Sequence, residues 1–225
     1  MCGGKGLVIV GDSSFAEVAH EYFNQQSEYQ VVGFAVERAF LGRSELFGLP
    51  VVALEDMTAA FPPENCDVYV ALVYSELNRL RTRLAAAVDA MGYDLASFIS
   101  PHARVSPSAT LGRHCFVFED NVIQPYVTIG DNVVLWSGNH IGHHSSIGGN
   151  CFISSHVVIS GHCSIGENCF LGVNAAVAND VKIAKDCWIG PGVVISADTE
   201  AGQMFPAAKA EASRASAYRF FKLKA

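Results

Sequence analysis

The sequence predicts a small α/β domain with a Rossmann-like parallel sheet, followed by an all-β left-handed parallel β-helix. From Val105 to Ile195 every sixth residue is aliphatic, through sixteen positions without a gap. Such a long six-residue period fits neither an α-helix nor a strand, and it is typical of a parallel β-helix of hexapeptide repeats. Before this repeat, short apolar runs alternate with helix-like stretches. We therefore predict an α/β domain over 1–102, the coil over 103–197, and a C-terminal loop and tail over 198–225.

The apolar runs of the first part give the expected order of its elements. The runs GLVIV, YQVVGFAV, PVVAL and CDVYVALVY are predicted strands, and LASFIS is expected to be the last strand of the same sheet. Helices are predicted at FAEVAHEYF and along SELNRLRTRLAAAVDAMGY. Strands that alternate with helices favour a parallel α/β sheet.

Small residues occupy the second inward position of each hexad, two residues before the aliphatic one. Five of the seven cysteines fall there: Cys115, Cys151, Cys163, Cys169 and Cys187. Because a reduced cysteine packs as a small apolar residue, these five are predicted to be buried. Cys2 and Cys66 are then the expected reactive thiols. Glycine often follows the aliphatic residue, which suggests turns that need permissive backbone angles.

A glycine turn joins the first strand to the first helix. Gly11, Asp12, Ser13, Ser14 and Phe15 form a degraded GxGxxG motif in which only the first glycine remains, so the pattern is weak for a dinucleotide. The start of a helix beside a strand end still attracts a phosphate or a nucleotide sugar. Glu37 ends the second strand, where an acid commonly meets a ribose hydroxyl. The alternative is that Asp12 or Ser13 caps the helix and Glu37 is a solvated turn residue.

Five of the eight histidines lie between positions 140 and 162: His140, His143, His144, His156 and His162. With 18 residues per coil, His144 should stack on His162, and His143 should project outward from a corner. A rigid coil suits the placement of a general base, and histidine serves this role near neutral pH. Simple surface histidines are the alternative. The two-histidine spacing of the gamma-type carbonic anhydrases is absent from the sequence, so no metal is expected.

The bulk composition narrows the possible partners. The net charge is −7, which argues against binding to nucleic acid. The sequence contains no apolar run of the ~18 residues needed for membrane insertion, and its first residues do not resemble a secretion signal. We therefore expect a cytoplasmic protein.

The combination of both parts resembles the sialic-acid O-acetyltransferase-like sugar acyltransferases of the hexapeptide-repeat superfamily. The likeness rests on the turn GDSSFA, the second strand VVGFAVE, a short link, and an uninterrupted coil with a mid-coil histidine. The chain is closest in type to N-acetyltransferases that act on nucleotide-linked 4-amino sugars. This resemblance implies a homotrimer with acyl-CoA in the groove between neighbouring coils.

The resemblance also implies roles for individual residues. His143 corresponds to the general base, and the backbone amide of Gly161 corresponds to the oxyanion donor. Acyl-CoA is expected to contact Gly161, Val173 and Gly190. Relatives often carry an acid after the base, where this chain has His144, so the group that orients His143 is left open.

The nucleotide is expected at the turn from Gly11 to Phe15 and near Glu37. The expected reaction moves an acetyl or other short acyl group from acyl-CoA to the amino group of a nucleotide-linked 4-amino-4,6-dideoxy sugar, without a metal. The alternatives are O-acetylation of a sugar hydroxyl and a non-catalytic β-helix scaffold. Five aromatic residues should be exposed on a lone coil and therefore favour the trimer: Phe116, Phe118, Trp136, Phe152 and Phe170. The basic segment 212–225 is either solvated or close to the coenzyme A phosphates.

Overall fold

The computed structural model describes residues 6–223, in which an α/β domain is followed by a long coil. The α/β domain contains the following elements in chain order: β1 (Gly6–Val10), α1 (Ser14–Gln26), β2 (Gln30–Val36), a 3-10 helix (Arg38–Phe40), β3 (Glu45–Leu46), β4 (Leu49–Ala53), a 3-10 helix (Leu54–Asp56), α2 (Met57–Ala60), β5 (Cys66–Val70) and α3 (Arg79–Ala90). Its sheet has the order β3-β4-β2-β1-β5. Only β3 runs antiparallel to its neighbour β4, so the predicted parallel sheet is confirmed.

Both faces of this sheet are buried, as the continuous apolar strands require. Along β1, Leu7 and Ile9 pack in the cluster that contains α1, whereas Val8 and Val10 pack in the cluster that contains α3. This alternation follows from the two-residue period of a strand. Because β1 and β2 are parallel neighbours, their carboxyl ends lie side by side, next to the start of α1.

The coil has three faces, each a parallel sheet of two-residue strands. The aromatic face consists of β6 (Phe98–Ile99), β9 (Phe116–Val117), β12 (Val134–Leu135), β15 (Phe152–Ile153), β18 (Phe170–Leu171), β21 (Trp188–Ile189) and β23 (Met204–Phe205). The valine face consists of β7 (Arg104–Val105), β10 (Val122–Ile123), β13 (His140–Ile141), β16 (Val158–Ile159), β19 (Ala176–Val177) and β22 (Val194–Ile195). The hydroxyl face consists of β8 (Thr110–Leu111), β11 (Thr128–Ile129), β14 (Ser146–Ile147), β17 (Ser164–Ile165) and β20 (Lys182–Ile183).

The interior of the coil confirms the predicted register. Strands pair with partners 18 residues away, as Ile141 does with Ile159. The aliphatic residues from Val117 to Ile195 are buried, and the five coil cysteines are buried thiols without disulfides. The six-residue repeat therefore describes the whole core of the coil.

The turns of the coil depend on a second six-residue column that the prediction missed. Fourteen successive positions from His114 to Gly192 have a positive φ, and each lies three residues after an aliphatic core residue. Most of these positions hold Asn, Asp, Gly or His, and Asn, Asp and His are the L-residues enriched at such angles. His144, His156 and His162 are three of them.

The glycines that follow the aliphatic residues are not needed for permissive backbone angles, contrary to the expectation from the sequence. Gly142, for example, is not among the positions with positive φ. A Cβ on Gly142 would lie 2.5 Å from the backbone carbon of Ser160 in the next coil. The absence of a side chain therefore allows adjacent coils to approach, so the explanation by backbone angle was wrong.

Three further expectations are corrected by the structure. LASFIS does not extend the α/β sheet, because Phe98–Ile99 pairs with Phe116–Val117 and begins the aromatic face. The coil also continues past residue 197, because Met204–Phe205 pairs with Trp188–Ile189. Cys66 is buried in the cluster between the sheet and α3, so it is not a reactive surface thiol.

The aromatic face is covered by the α/β domain of the same chain. Phe116, Phe118, Phe152 and Phe170 are buried in one cluster with residues of β1, α1 and β2, and Trp136 packs against that cluster. Phe15 of α1, for example, has its ring 5.6 Å from that of Phe116. The expectation that these aromatic residues are exposed was therefore wrong, and they give no reason for a trimer.

Buried polar groups fix the α/β domain onto the coil. Arg81 of α3 is fully buried and donates from Nε to Oδ1 of Asn132 at 3.0 Å. His114 is 2.8 Å from the same oxygen through Nδ1 and accepts a hydrogen bond from the Val70 amide through Nε2. Nδ1 of His114 thus carries the proton, and the imidazole is neutral. Burial lowers the pKa of His114 to about 3.

Within residues 6–223, helices long and apolar enough to cross a membrane are absent. Residues 206–223 are exposed and include a short helix, α4 (Ala217–Phe220). The predicted contact of the basic segment with coenzyme A remains a prediction, and Lys224 lies outside the described residues.

Candidate active site

The predicted histidine cluster forms at one corner of the coil, between the valine and hydroxyl faces. His143 and His144 follow Ile141 of β13, and His162 lies one coil further on, after Ile159 of β16. The rings of His144 and His162 are stacked, with centroids 5.0 Å apart and planes 14° apart. The ring of His143 stands nearly perpendicular to both. The predicted stacking of His144 on His162 is confirmed.

One contact orients the exposed imidazole of His143, and a second holds its backbone. Its Nδ1 lies 3.2 Å from Nδ1 of His144, and its backbone amide donates to Oε1 of Gln124 at 2.9 Å. His144 is itself held on its other side by the ring of Tyr126, with centroids 4.7 Å apart. If Nδ1 of His143 carries the proton that the two histidines share, Nε2 of His143 presents its lone pair for proton transfer.

Gly161 lies directly beneath the imidazole of His143. A Cβ on Gly161 would be 2.9 Å from Cε1 and 3.0 Å from Nε2 of that ring, so glycine leaves the space that the imidazole occupies. The amide of Gly161 donates to Oδ1 of Asn179 at 3.0 Å. Asn179, which the sequence analysis did not consider, would have to release this amide before Gly161 could donate to an oxyanion.

Val173 and Gly190 lie at a different corner, between the aromatic and valine faces. Val173 is exposed there and lines a cavity of about 240 Å³ with Tyr74 and Phe152. The amide of Gly190 donates to the carbonyl of Phe205 at 2.8 Å. Within one chain, therefore, the structure brings Gly161 to His143 but does not bring Val173 or Gly190 to it.

A second candidate site lies at the carboxyl ends of β1 and β2. Gly11, Asp12, Ser13 and Glu37 line a cavity of about 240 Å³ whose remaining walls are mainly apolar. In parallel α/β sheets, ligands bind at this edge of the sheet. The predicted residues are thus brought together, with two exceptions. Ser14 does not line the cavity, and Phe15 is buried against the aromatic face.

Both acids of this cavity already have arginine partners. Arg83 contacts the two carboxylate oxygens of Glu37 at 2.8 and 2.9 Å, and Arg43 lies 3.4 Å from Asp12. The hydrogen bond from Arg83 lowers the pKa of Glu37 below its ordinary value. These pairs place two guanidinium groups on the acids that line the cavity, and the start of α1 in the same cavity also favours an anion.

Phe40 is a functional candidate that the sequence analysis missed. Its side chain is 72% exposed although it lines the cavity at the turn after β2. An exposed aromatic ring beside an apolar cavity can stack on a planar base. The signal in the sequence was an apolar aromatic residue in the turn three residues after Glu37.

A larger cavity of about 600 Å³ lies elsewhere, lined by Gln26, Tyr29 and Phe98 among others. It contains none of the predicted site residues. Asp67, near the start of β5, also lines it, which places it at the amino ends of the strands, opposite the edge where such sheets bind ligands. The two regions above are therefore the candidate sites.

The coil matches a known repeat family. The bacterial transferase hexapeptide family (six repeats) matches residues 126–161 and 162–197. Residues 126–197 therefore carry the hexapeptide repeat of this family. A search of curated proteins gave no match.

Solved structures resemble the chain over both of its parts. A histidine-to-asparagine variant of perosamine N-acetyltransferase from Caulobacter crescentus, in complex with CoA and GDP-perosamine, is 28% identical, with a TM-score of 0.81 over 92% of this chain and 95% of that chain. The acetyltransferase domain of PglB from Neisseria gonorrhoeae, in complex with acetyl coenzyme A, is 24% identical, with a TM-score of 0.80 over 91% and 97%. The second likeness bears on the fold alone. The resemblance drawn from the sequence is confirmed, as is the expected enzyme class of acyl-CoA-dependent sugar N-acyltransferase.

Proposed function

We propose that this enzyme transfers an acetyl or other short acyl group from acyl-CoA to the amino group of a nucleotide-linked 4-amino-4,6-dideoxy sugar, with His143 as the general base. The observation that carries the proposal is the exposed imidazole of His143, which lies over Gly161 and is oriented by His144. The likeness to an N-acetyltransferase bound to CoA and GDP-perosamine supports the choice of substrates.

The chemistry requires one proton to leave the amine. The neutral amine attacks the thioester carbonyl carbon, and a C–N bond forms as the carbonyl oxygen becomes negative. Nε2 of His143 accepts a proton from the nitrogen, the C–S bond breaks, and the thiolate of coenzyme A leaves with the bonding electrons. The protonated His143 then gives this proton to the thiolate, and the products are the amide and free coenzyme A. General base catalysis of this kind contributes roughly 10²–10⁴-fold.

The nucleotide occupies the cavity lined by Gly11, Asp12, Ser13 and Glu37. The base packs between the apolar wall and the exposed ring of Phe40, and its phosphates lie at the start of α1. Glu37 meets the ribose hydroxyls through carboxylate lone pairs that Arg83 leaves unused.

The assembly is a homotrimer with an active site between neighbouring chains. The valine face supports it, because Val158 is 43% and Val194 is 68% exposed on outward positions of β16 and β22. This face lies between the corner of His143 and the corner of Val173. Burial of the valine face against a neighbour lets His143 of one chain approach the Val173 corner of the other chain, where the pantetheine arm binds.

The decisive experiment is a thiol-release assay with acetyl-CoA and a panel of nucleotide-linked sugars. Each 4-amino sugar is paired with its 4-hydroxy counterpart, and the product is identified by mass spectrometry. The proposal expects coenzyme A release and an acetylated product only with the amine. Acetylation of the 4-hydroxy sugar alone would show O-acetyl transfer, and release with neither would favour a non-catalytic scaffold.

A further inference from the structure

The histidine corner has the arrangement of a metal site as well as that of a base. His143, His144 and His162 each offer a ring nitrogen, and these atoms lie within 4.8 Å of one another on exposed side chains. Two ligands of a tetrahedral zinc ion, with Zn–N bonds of about 2.0–2.1 Å, are about 3.3 Å apart. The Nδ1 atoms of His143 and His144 are 3.2 Å apart, so this pair already has the spacing of two ligands on one ion.

The repeat of the coil fixes the position of the third imidazole, that of His162, relative to His144. His144 and His162 are 18 residues apart and occupy one column of positive-φ positions, which begins below them at Tyr126. The ring of His144 lies between that of Tyr126, at a centroid distance of 4.7 Å, and that of His162, on which it stacks at 5.0 Å. Packing of this kind holds ligand rings in place before an ion arrives.

We propose that His143, His144 and His162 bind a divalent transition-metal ion, for which Zn²⁺ is the best fit, and that the bound ion blocks acyl transfer. Neutral imidazoles favour zinc, copper and nickel over magnesium and calcium. Because all three rings are exposed, the fourth position remains open to water. The regulatory half of this proposal rests on the function proposed above.

The inhibition follows from the lone pairs of a neutral imidazole. Such a ring has one nitrogen with a lone pair and one that carries a proton. An ion on Nδ1 of His143 places the proton on Nε2, and an ion on Nε2 occupies the lone pair directly. In both cases His143 can no longer accept a proton from the amine.

The metal site is tested by titrating the chelator-treated full chain with ZnCl₂ in a calorimeter. We expect one ion per chain. His162→Asn removes one ligand. Asparagine already occupies equivalent positive-φ positions of the coil at Asn150 and Asn168, so we expect the fold to be preserved. Its affinity for Zn²⁺ should fall at least about tenfold. The matched control His156→Asn changes an exposed histidine at another corner and should bind as the wild type does.

Absence of Zn²⁺ binding, or equal affinity in His162→Asn and the wild type, would overturn the site. Its regulatory effect is measured in the acyl-transfer assay, with each rate normalised to that of the same variant in chelator. Zn²⁺ should inhibit the wild type and His156→Asn reversibly, and His162→Asn much less. Tight binding without inhibition would refute the regulation and retain the site. If the wild type in chelator transferred no acyl group to any of the amino sugars, the proposed function would be refuted, independently of the titration.

Discussion

Arg81 donates to the side-chain oxygen of Asn132 across 3.0 Å, although one residue belongs to helix α3 and the other to the coil. The guanidinium is fully buried and also donates to the carbonyls of Asn132, Cys151 and Leu72. A buried cation is tolerated only where such partners replace water. This contact explains why the α/β domain has a fixed position on the aromatic face.

Arg81→Met should therefore destabilise the chain strongly, because it leaves buried carbonyls and Asn132 without their donor. We expect the free energy of unfolding, measured by denaturant titration, to fall by at least about 1–3 kcal/mol, the cost of one buried acceptor left without its donor. Arg79→Met is the matched control on the same helix, since the exposed Arg79 pairs with Asp186 and donates to the carbonyl of Leu77. Its cost should be within about 1 kcal/mol. Equal costs for both variants would mean that the buried network does not fix the domain.

His114 should make the fold sensitive to acid. Its pKa is lowered by burial to about 3 in the folded state, against about 6.5 in an unfolded chain. Between these values the unfolded state binds more protons, so stability falls as the pH decreases from about 6.5 to about 3. The loss is on the order of 5 kcal/mol over the whole window. Unfolding titrations at several pH values measure it.

The variant His114→Asn removes this titration and keeps a residue that accepts the positive φ of position 114. It should be less stable at pH 8 but show a flatter dependence on pH. His156→Asn, at an exposed position, should retain the wild-type slope. A slope that is the same in the wild type and in His114→Asn would assign the acid sensitivity to other groups.

The six cysteines within residues 6–223 should not react with thiol reagents in the native state, which leaves Cys2, outside the described residues, as the expected reactive thiol. All six cysteines within residues 6–223 are buried, and burial raises the pKa of Cys115 to about 11. Since the thiolate is the reacting form, brief alkylation followed by peptide mass spectrometry should label none of them before unfolding. Rapid labelling of Cys151, Cys163 or Cys169 would contradict the register of the coil.

The valine face should be the surface that joins the chains. Val158→Lys places a charge at an outward, apolar position of this face, and burying an unpaired charge is costly. Light scattering should show trimers for the wild type and monomers for the variant, which should also lose transfer activity. Ser164→Lys makes a similar change on the hydroxyl face and should remain trimeric. A monomeric wild type would refute the shared active site.

The sequence allowed the coil and its histidine corner to be predicted because both depend on local period. Once Ile141 is assigned to the core, His143 must project from the following corner. The burial of Phe152 under the α/β domain could not be predicted, because it depends on contacts between distant residues. One of them is the hydrogen bond from Arg81 to the carbonyl of Cys151, 70 residues away. In the sequence Arg81 looks like any charged residue of an amphipathic helix. The positive-φ column is also visible in the sequence, as Asn, Asp, Gly or His at most positions three residues after each aliphatic core residue. The prediction used the six-residue period of the aliphatic residues alone and therefore missed this column.

The central claim is that His143 accepts the proton of the attacking amine, and the kinetics of His143→Asn test it most directly. Steady-state thiol release with the amino-sugar substrate should show kcat lowered roughly 10²–10⁴-fold, with the KM for acyl-CoA almost unchanged. His144→Asn, which removes only the orienting ring, should cost less, and His156→Asn should cost nothing. Full activity in His143→Asn, together with its loss in His144→Asn or His156→Asn, would show that the base is a different histidine.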